Sequence, residues 1–430
     1  MSIDNKNPRI QAIIEITNIL NGNNYKPSDN GDTFYKSILG ITVRRLGEIQ
    51  FHLAKYIKKP LKQKQNIIKA NLIIGTSQIL YMRVPIYAAV NASVEIAKIQ
   101  SPHHVKFINA ILRQLARDFE SNEIKNLDSL INVPIEIINR WKQNIFQKDL
   151  KKIAKQHLII PPALDIALSR HEKIDPWCDK LKGTIFGKNN IRLTNNYGKI
   201  DNLFGYHQGV WWIQDLAAQL PAKILLASVK NNANVIDMCA APGGKTAQLL
   251  TNDLNVISIE SNLKRAKLLK ENLKRLNLKT KLILQDANKY KVENLVDAVL
   301  LDAPCTSTGT VRKNPDVLWR LTAKKNNFSR VLNTLIVTQK NLLNSASMML
   351  KPGGKLIYSV CSLEKEEGES QIIDFIKNNN NFIISPIDKN EIDITDEAIT
   401  KKGFIRTFPY FSKELGGMDG FFIARLEKTN

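Results

Sequence analysis

The sequence predicts an all-α first third followed by an α/β domain built on a doubly wound parallel sheet. Three observations predict it. Apolar residues recur at helical spacing through roughly the first 120 positions. From about residue 234, short apolar runs alternate with helical stripes. The first of those runs ends in a Pro-Gly-Gly loop that opens a helix, the arrangement found at ligand sites of open α/β sheets.

The helical part begins at Asn7-Pro8, an N-cap followed by proline at the first helical position. Ile10, Ile13, Thr17 and Leu20 then recur on one face. Residues 22–31 form a polar, turn-rich loop. Tyr35, Ile38, Thr42, Leu46, Ile49, Leu53 and Tyr56 mark one face of a second helix, stopped near Pro60. Further stripes cover about 65–82 and 86–99, and Ser101-Pro102 repeats the cap signal ahead of Val105, Ile108, Leu112 and Leu115. Short connections between such stripes predict a bundle. Residues 126–165 are amphipathic and basic, the pattern of a solvated helix face, and Pro161-Pro162 marks a seam. In the α/β part, VIDMC, NVISIE, KLILQD, VDAVLLD, KLIYSV and the late FFIARL read as strands, and LKRAKLLKENLKRL as a helix.

A chain of 430 residues is long enough for two or more domains. Its 62 Lys and Arg against 40 Asp and Glu give a net charge of +22, a field that attracts polyanions and points to nucleic acid. Four cysteines stand at 178, 239, 305 and 361, with no metal-like spacing, which predicts no bound metal and suits a reducing cytoplasm. The first ten residues lack the apolar core of a signal peptide, and no apolar run approaches a membrane span.

Asp237 to Thr246 reads DMCAAPGGKT. Small residues and two glycines between strand and helix let a ligand approach the backbone closely, and a helix start adds partial positive charge. A phosphate-cradling G-x-x-x-x-G-K-[ST] loop is the rival, but Cys239 occupies its first glycine position. Glu260, Asp286 and Asp302 each end a strand, the edge where carboxylates meet ribose hydroxyls. Together they indicate an adenosine-type ligand.

Asp302-Ala303-Pro304-Cys305 follows one strand and Ser359-Val360-Cys361-Ser362 another. Most free cysteines are small buried hydrophobes, which suits Cys178 and the small-residue position of Cys239. Strand-end loops are instead where α/β enzymes place reactive groups. A thiolate there suits one chemistry in particular. Its addition to carbon 6 of cytosine makes carbon 5 nucleophilic enough to attack a methyl sulfonium. Asp302 is placed to stabilise charge at ring nitrogen 3. Zinc deaminases need P-C-x-x-C, and here Thr306, Ser307 and Thr308 follow Cys305.

Several stretches then resemble one family. CAAPGGK at 239–245, DAPCTSTGTVRKNPD at 302–316, SVCSLEKEEGE at 359–369, GGMDGFFIARL at 416–426 and WWIQDLAAQLPA at 211–222 are similar to the bacterial RNA cytosine-C5 methyltransferases of the RsmB/Sun (Fmu) type. The resemblance implies S-adenosylmethionine as cofactor, contacted by Cys239, Ala240, Ala241, Pro242, Gly243, Gly244, Lys245, Glu260, Asp286 and Asp302. It implies Cys361 as nucleophile, Cys305 as an aid to product release, and 16S ribosomal RNA as substrate. Glu260 stands where relatives commonly carry Asp, and SVCS where they carry TCS. FINAILRQLAR at 107–117 resembles the NusB-like RNA-binding domain of the same family.

The resulting expectation is a NusB-like domain over 1–125, a helical linker over 126–165 and a Rossmann-like methyltransferase domain over 166–430, acting as a monomer. Transfer RNA as substrate, or an inactive RNA-binding assembly factor, are the alternatives. Trp211 and Trp212 are either core residues or base-stacking platforms.

Overall fold

The structure, a computed structural model, describes residues 7–23, 32–124, 127–160, 162–194, 197–323, 327–392 and 394–429. Most of the loop expected over 22–31, and Pro161 of the expected seam, lie outside them. The chain divides into two compact units, one of Met1–Ile160 with Val311–Val331, the other of Pro161–Thr310 with Leu332–Asn430.

In the first unit α1 (Pro8–Leu20) starts as expected, with the Asn7 side chain accepting from the N–H groups of Arg9 and Ile10. The single helix expected over 35–56 is two, α2 (Thr33–Arg44) and α3 (Leu46–Ala54). The reason is local. The Glu48 N–H donates to the Asn132 side chain at 3.0 Å, so the helical ladder is interrupted at the Arg45 junction. Helix α4 (Asn66–Tyr81) is buried nearly all round, which makes it the centre of the bundle. It is packed by α5 (Ile86–Gln100) and by α6 (Val105–Glu120), which buries Ile108, Ile111, Leu112 and Leu115. Ser101 makes no side-chain cap; Pro102–His104 form a 3-10 turn before α6 instead. Helices α7 (Ile135–Trp141) and α8 (Gln147–His157) follow.

Residues 311–331, which carry the short helix α13 (Val317–Thr322), belong to this helical unit. Arg44 Nη2 donates to the Arg312 carbonyl at 2.8 Å, and Trp319 packs against the bundle core. The expectation of an uninterrupted domain over 166–430 differs here. Apolar periodicity identifies a helix but not the core it joins.

The second unit holds two sheets among its described residues. The smaller has the order β2-β3-β1-β4, formed by β1 (Leu164–Leu168), β2 (Thr184–Ile185), β3 (Asn190–Leu193) and β4 (Trp211–Ile213), with helix α9 (Ile174–Leu181) beside it. Sequence reading does not anticipate it, because strands this short carry no usable alternation. Its interior contains a fully buried, two-pronged ion pair from Arg192 to Asp165 at 2.6 and 2.7 Å. Both tryptophans are core residues: the Trp211 indole donates to the Phe204 carbonyl and that of Trp212 to Gln214.

The larger sheet has β5 (Asn234–Met238) at its centre, flanked by β6 (Asn255–Glu260) and β7 (Lys281–Leu284) on one side. On the other lie β8 (Val296–Asp302) and β9 (Leu350–Val360). These five pair in parallel. The remaining strands, β10 (Phe382–Ile384), β11 (Ile405–Arg406) and β12 (Phe422–Lys428), pair antiparallel, with β12 lying between β9 and β10. FFIARL is thus an antiparallel strand on an otherwise parallel sheet, a common edge arrangement in doubly wound folds. Helices α10 (Leu216–Leu226), α11 (Gly244–Leu250), α12 (Leu263–Arg275), α14 (Phe328–Met348) and α15 (Glu369–Asn378) accompany these strands. Chain order reverses between β6 and β8 around β5, and such a switch point opens a crevice at the carboxyl ends of the strands.

Candidate active site

The expected cofactor loop leaves β5 at that crevice. Cys239 has φ 60° and Gly243 φ 105°, both left-handed, so the chain turns sharply before α11. Side chains of α12 hold the loop's carbonyls: Arg265 Nη2 donates to Ala241 at 2.5 Å and Asn272 Nδ2 to Pro242 at 2.8 Å. The Ala240 N–H is bound to the Ile259 carbonyl at 3.1 Å, which sets the loop beside the end of β6 and therefore beside Glu260.

Glu260 is buried. Its Oε1 accepts from the Asn262 N–H at 2.9 Å, while Oε2 has no hydrogen-bond partner and lies 3.7 Å from Arg265 Nε. Asp286, after β7, accepts from the Asn288 N–H at 2.9 Å. Asp302, at the end of β8, takes Lys245 Nζ on one oxygen at 2.6 Å and the Ser359 hydroxyl on the other at 2.8 Å. The pairing of Lys245 with Asp302 ties the cofactor loop to the loop that follows β8.

Burial pushes the Cys239 thiol up to about 12, reinforced by Glu260 and Asp302. Cys239 is therefore a neutral small residue, as its position in the loop suggested. Cys178 is likewise raised by burial and packs in the core of the small sheet.

Strands β8 and β9 are parallel neighbours, with Asp302 opposite Ser359. Cys305 and Cys361 each follow soon after, so adjacency of the strands makes adjacency of the thiols. The two sulfurs are 3.4 Å apart. The Ser307 hydroxyl lies 3.5 Å from the Cys361 sulfur and 4.0 Å from that of Cys305. Contact with Cys361, and then burial, hold the Cys305 thiol well above its usual range. Two thiols this close do not both ionise easily.

Sequence reading missed two residues here. Asp237, on β5, is fully buried; one oxygen accepts from the Thr246 hydroxyl at 2.6 Å and the other has no partner. Burial raises its carboxyl to about 7, opposed by Thr246 and Lys245. A carboxylate inside an apolar strand was the available signal. Glu367 is fully buried under the cysteine loops. It stands in the acidic run EKEEGE, which reads as solvated surface and so hides it.

Among the described residues no His, Cys, Asp and Glu group could hold a metal ion, and no helix is long and apolar enough to cross a membrane.

The chain is similar to known proteins over nearly its whole length. Residues 223–427 match the family model described as 16S rRNA methyltransferase RsmB/F, and residues 2–117 match that of the NusB family. Ribosomal RNA small subunit methyltransferase B of Pasteurella multocida is 28% identical, covering 90% of this chain and 86% of the relative. The protein of that name from Cronobacter sakazakii is also 28% identical, over 97% and 96%. The crystal structure of PH0851 superposes over 100% of both chains with a TM-score of 0.76 and 25% identity. That of NSun6 from Pyrococcus horikoshii with SFG, 19% identical, covers 69% of this chain and 98% of its own with a TM-score of 0.55, which supports the fold. The chain carries an N-terminal NusB-family domain and a C-terminal methyltransferase domain of the RsmB/F family.

Proposed function

We propose that this chain methylates carbon 5 of a cytosine in 16S ribosomal RNA, using S-adenosylmethionine and a covalent bond from Cys361 to carbon 6 of the base. The observation that carries the reading is the pair of thiols 3.4 Å apart at the strand-end edge that carries Asp302. A methyltransferase that alkylates a more nucleophilic atom needs no thiol, and a single-cysteine mechanism needs no second one.

The residues present fit the cofactor. The buried Oε2 of Glu260, which accepts no hydrogen bond and has only Arg265 at ion-pair distance, is an acceptor suited to a ribose hydroxyl. The left-handed turn at Gly243 leaves the backbone of Cys239 to Lys245 open to close approach. Asp286 and Asp302 complete the acidic edge. When bound, S-adenosylmethionine would supply an electrophilic methyl group.

The chain's own side chains do the rest. Cys361 adds as thiolate to carbon 6, which makes carbon 5 enamine-like. Ring nitrogen 3 takes up a proton as the thiolate adds, and Asp302 accepts a hydrogen bond from that N–H. After methylation, loss of the carbon 5 proton restores the carbon 5–carbon 6 double bond and expels the Cys361 sulfur. Cys305, held as a neutral thiol against Cys361, assists that release. The helical domain and the net charge of +22 supply affinity for the RNA.

The test is incubation of the protein with unmodified 16S ribosomal RNA and S-adenosylmethionine, followed by bisulfite sequencing. A single cytosine that becomes resistant to conversion is the expected result. Methyl incorporation without any protected cytosine would overturn the assignment to carbon 5.

A further inference from the structure

The two thiol loops are anchored by different groups. Both neighbours of Cys305 are tied down directly. The Pro304 carbonyl accepts from Gln339 Nε2 at 2.9 Å. The Thr306 N–H donates to Glu367, at 2.9 Å to Oε1 and 3.2 Å to Oε2, and the Thr306 hydroxyl donates to Oε2. Gln339 Nε2 also reaches Glu367 Oε1 at 3.0 Å. Two donors from Thr306 and one from Gln339 therefore converge on one carboxylate, which Ser362 also stabilises. The Glu367 carbonyl in turn accepts from the Tyr358 hydroxyl at 2.6 Å, which fixes its place beneath the loops.

The Cys361 loop is held mainly by other groups: the Cys361 carbonyl accepts from the Gly309 N–H at 3.0 Å and the Leu363 N–H donates to the Thr308 hydroxyl at 3.0 Å. Ser362 meets the hydroxyls of Thr306 and Thr308 at 3.1 and 3.2 Å, and its carbonyl accepts from Arg406 at 2.6 Å. A fully buried carboxylate is expensive to desolvate, and donors must offset that cost. Here burial raises the Glu367 carboxyl while Ser362, Thr306 and Gln339 oppose the shift. Such a group is retained at a site where it fixes geometry.

We propose that Glu367 is a positioning residue for Cys305: by holding Thr306 directly and Pro304 through Gln339 it aims the thiol that releases the methylated base. The inference rests on the two-cysteine reading above. A glutamine at 367 offers one acceptor oxygen and turns an amide N–H₂ toward donors, so Thr306 cannot keep all its bonds. Release should then slow more than attack.

The experiment compares native protein, Glu367→Gln, Glu367→Asp, Thr306→Val and Cys305→Ala, each with unmodified 16S ribosomal RNA and S-adenosylmethionine. Steady-state turnover and the fraction of protein running as a slow RNA adduct on a denaturing gel are both read. Cys305→Ala should trap adduct. Glu367→Gln should turn over roughly 10-fold more slowly with a raised adduct fraction, on the scale of a misplaced proton-handling group. Thr306→Val, which keeps shape but loses one donor, should show the same pattern more weakly, and Glu367→Asp should recover part of the loss. A merely structural role lowers turnover without raising the adduct fraction, because the surviving molecules release normally. That result in both Glu367→Gln and Thr306→Val, with adduct present in Cys305→Ala, overturns the inference and leaves the reading intact. Absence of adduct in Cys305→Ala overturns both.

Discussion

The loop after β5 and the loops after β8 and β9 lie on one edge of one sheet, yet they are held differently. The cofactor loop is a backbone construction. Cys239 to Gly244 are small or glycine, two of them take left-handed φ, and α12 holds two of their carbonyls. The thiol loops are stitched by side chains, through Thr306, Thr308, Ser362 and Glu367. A ligand gripped by main chain needs close approach, whereas reacting sulfurs need fixed aim. Under the proposed function, the difference follows what each loop would hold.

Substitutions separate these two modes. The largest effect belongs to the thiols. Cys361→Ala should lower methyl transfer by about 10⁴-fold or more, as removal of a nucleophile does, while the melting temperature changes little. A mutant that keeps most of its activity breaks the comparison at its centre. Next comes the crossing of the Cys305 loop with the C-terminal segment. A Cβ added at Gly309 would lie 1.9 Å from the Gly420 carbonyl oxygen, and both partners are backbone. Gly309→Ala should destabilise by about 2–3 kcal/mol in urea unfolding, because no side chain can give way.

The cofactor loop should respond more gently in stability and more selectively in binding. At Gly243, φ is 105° and the nearest neighbour of an added Cβ is Leu269 at 3.4 Å. Gly243→Ala is therefore strained rather than crowded, at a cost of about 1–2 kcal/mol. Calorimetry should show weaker S-adenosylmethionine binding by roughly the same free energy. The smallest effect concerns Asp237. Its folded-state carboxyl is raised to about 7, so its contribution to stability is present at low pH and lost as pH rises from about 4 through 7. Asp237→Asn can keep the bond from Thr246 without that loss. Its melting temperature relative to native protein should rise between pH 5 and pH 8; a constant difference would mean Asp237 stays ionised throughout.

The same contrast explains what was legible in the sequence. The turn after β5 could be read because it is written in consecutive small residues between a strand and a helix, and the acidic edge in carboxylates at strand ends. The thiol pair could be read as two strand-end cysteines, and the register of β8 against β9 brings them together. The support beneath them could not. Gln339 and Glu367 are far from Cys305 in sequence, and a buried acid within an acidic run looks like surface. The bundle was read from helical periodicity, but its capture of Trp319 was not, since periodicity does not name a partner. The small sheet escaped because its strands run two to five residues.

Attack by Cys361 leaves a covalent trace that can be located on the chain. The Cys305→Ala protein, incubated with unmodified 16S ribosomal RNA and S-adenosylmethionine, is denatured, digested with nuclease and protease, and examined by mass spectrometry. The expected product is a methylated cytosine nucleotide attached to the peptide that contains Cys361. Attachment at any other residue, or efficient methylation by a Cys361→Ala protein in the parallel reaction, would contradict attack by Cys361.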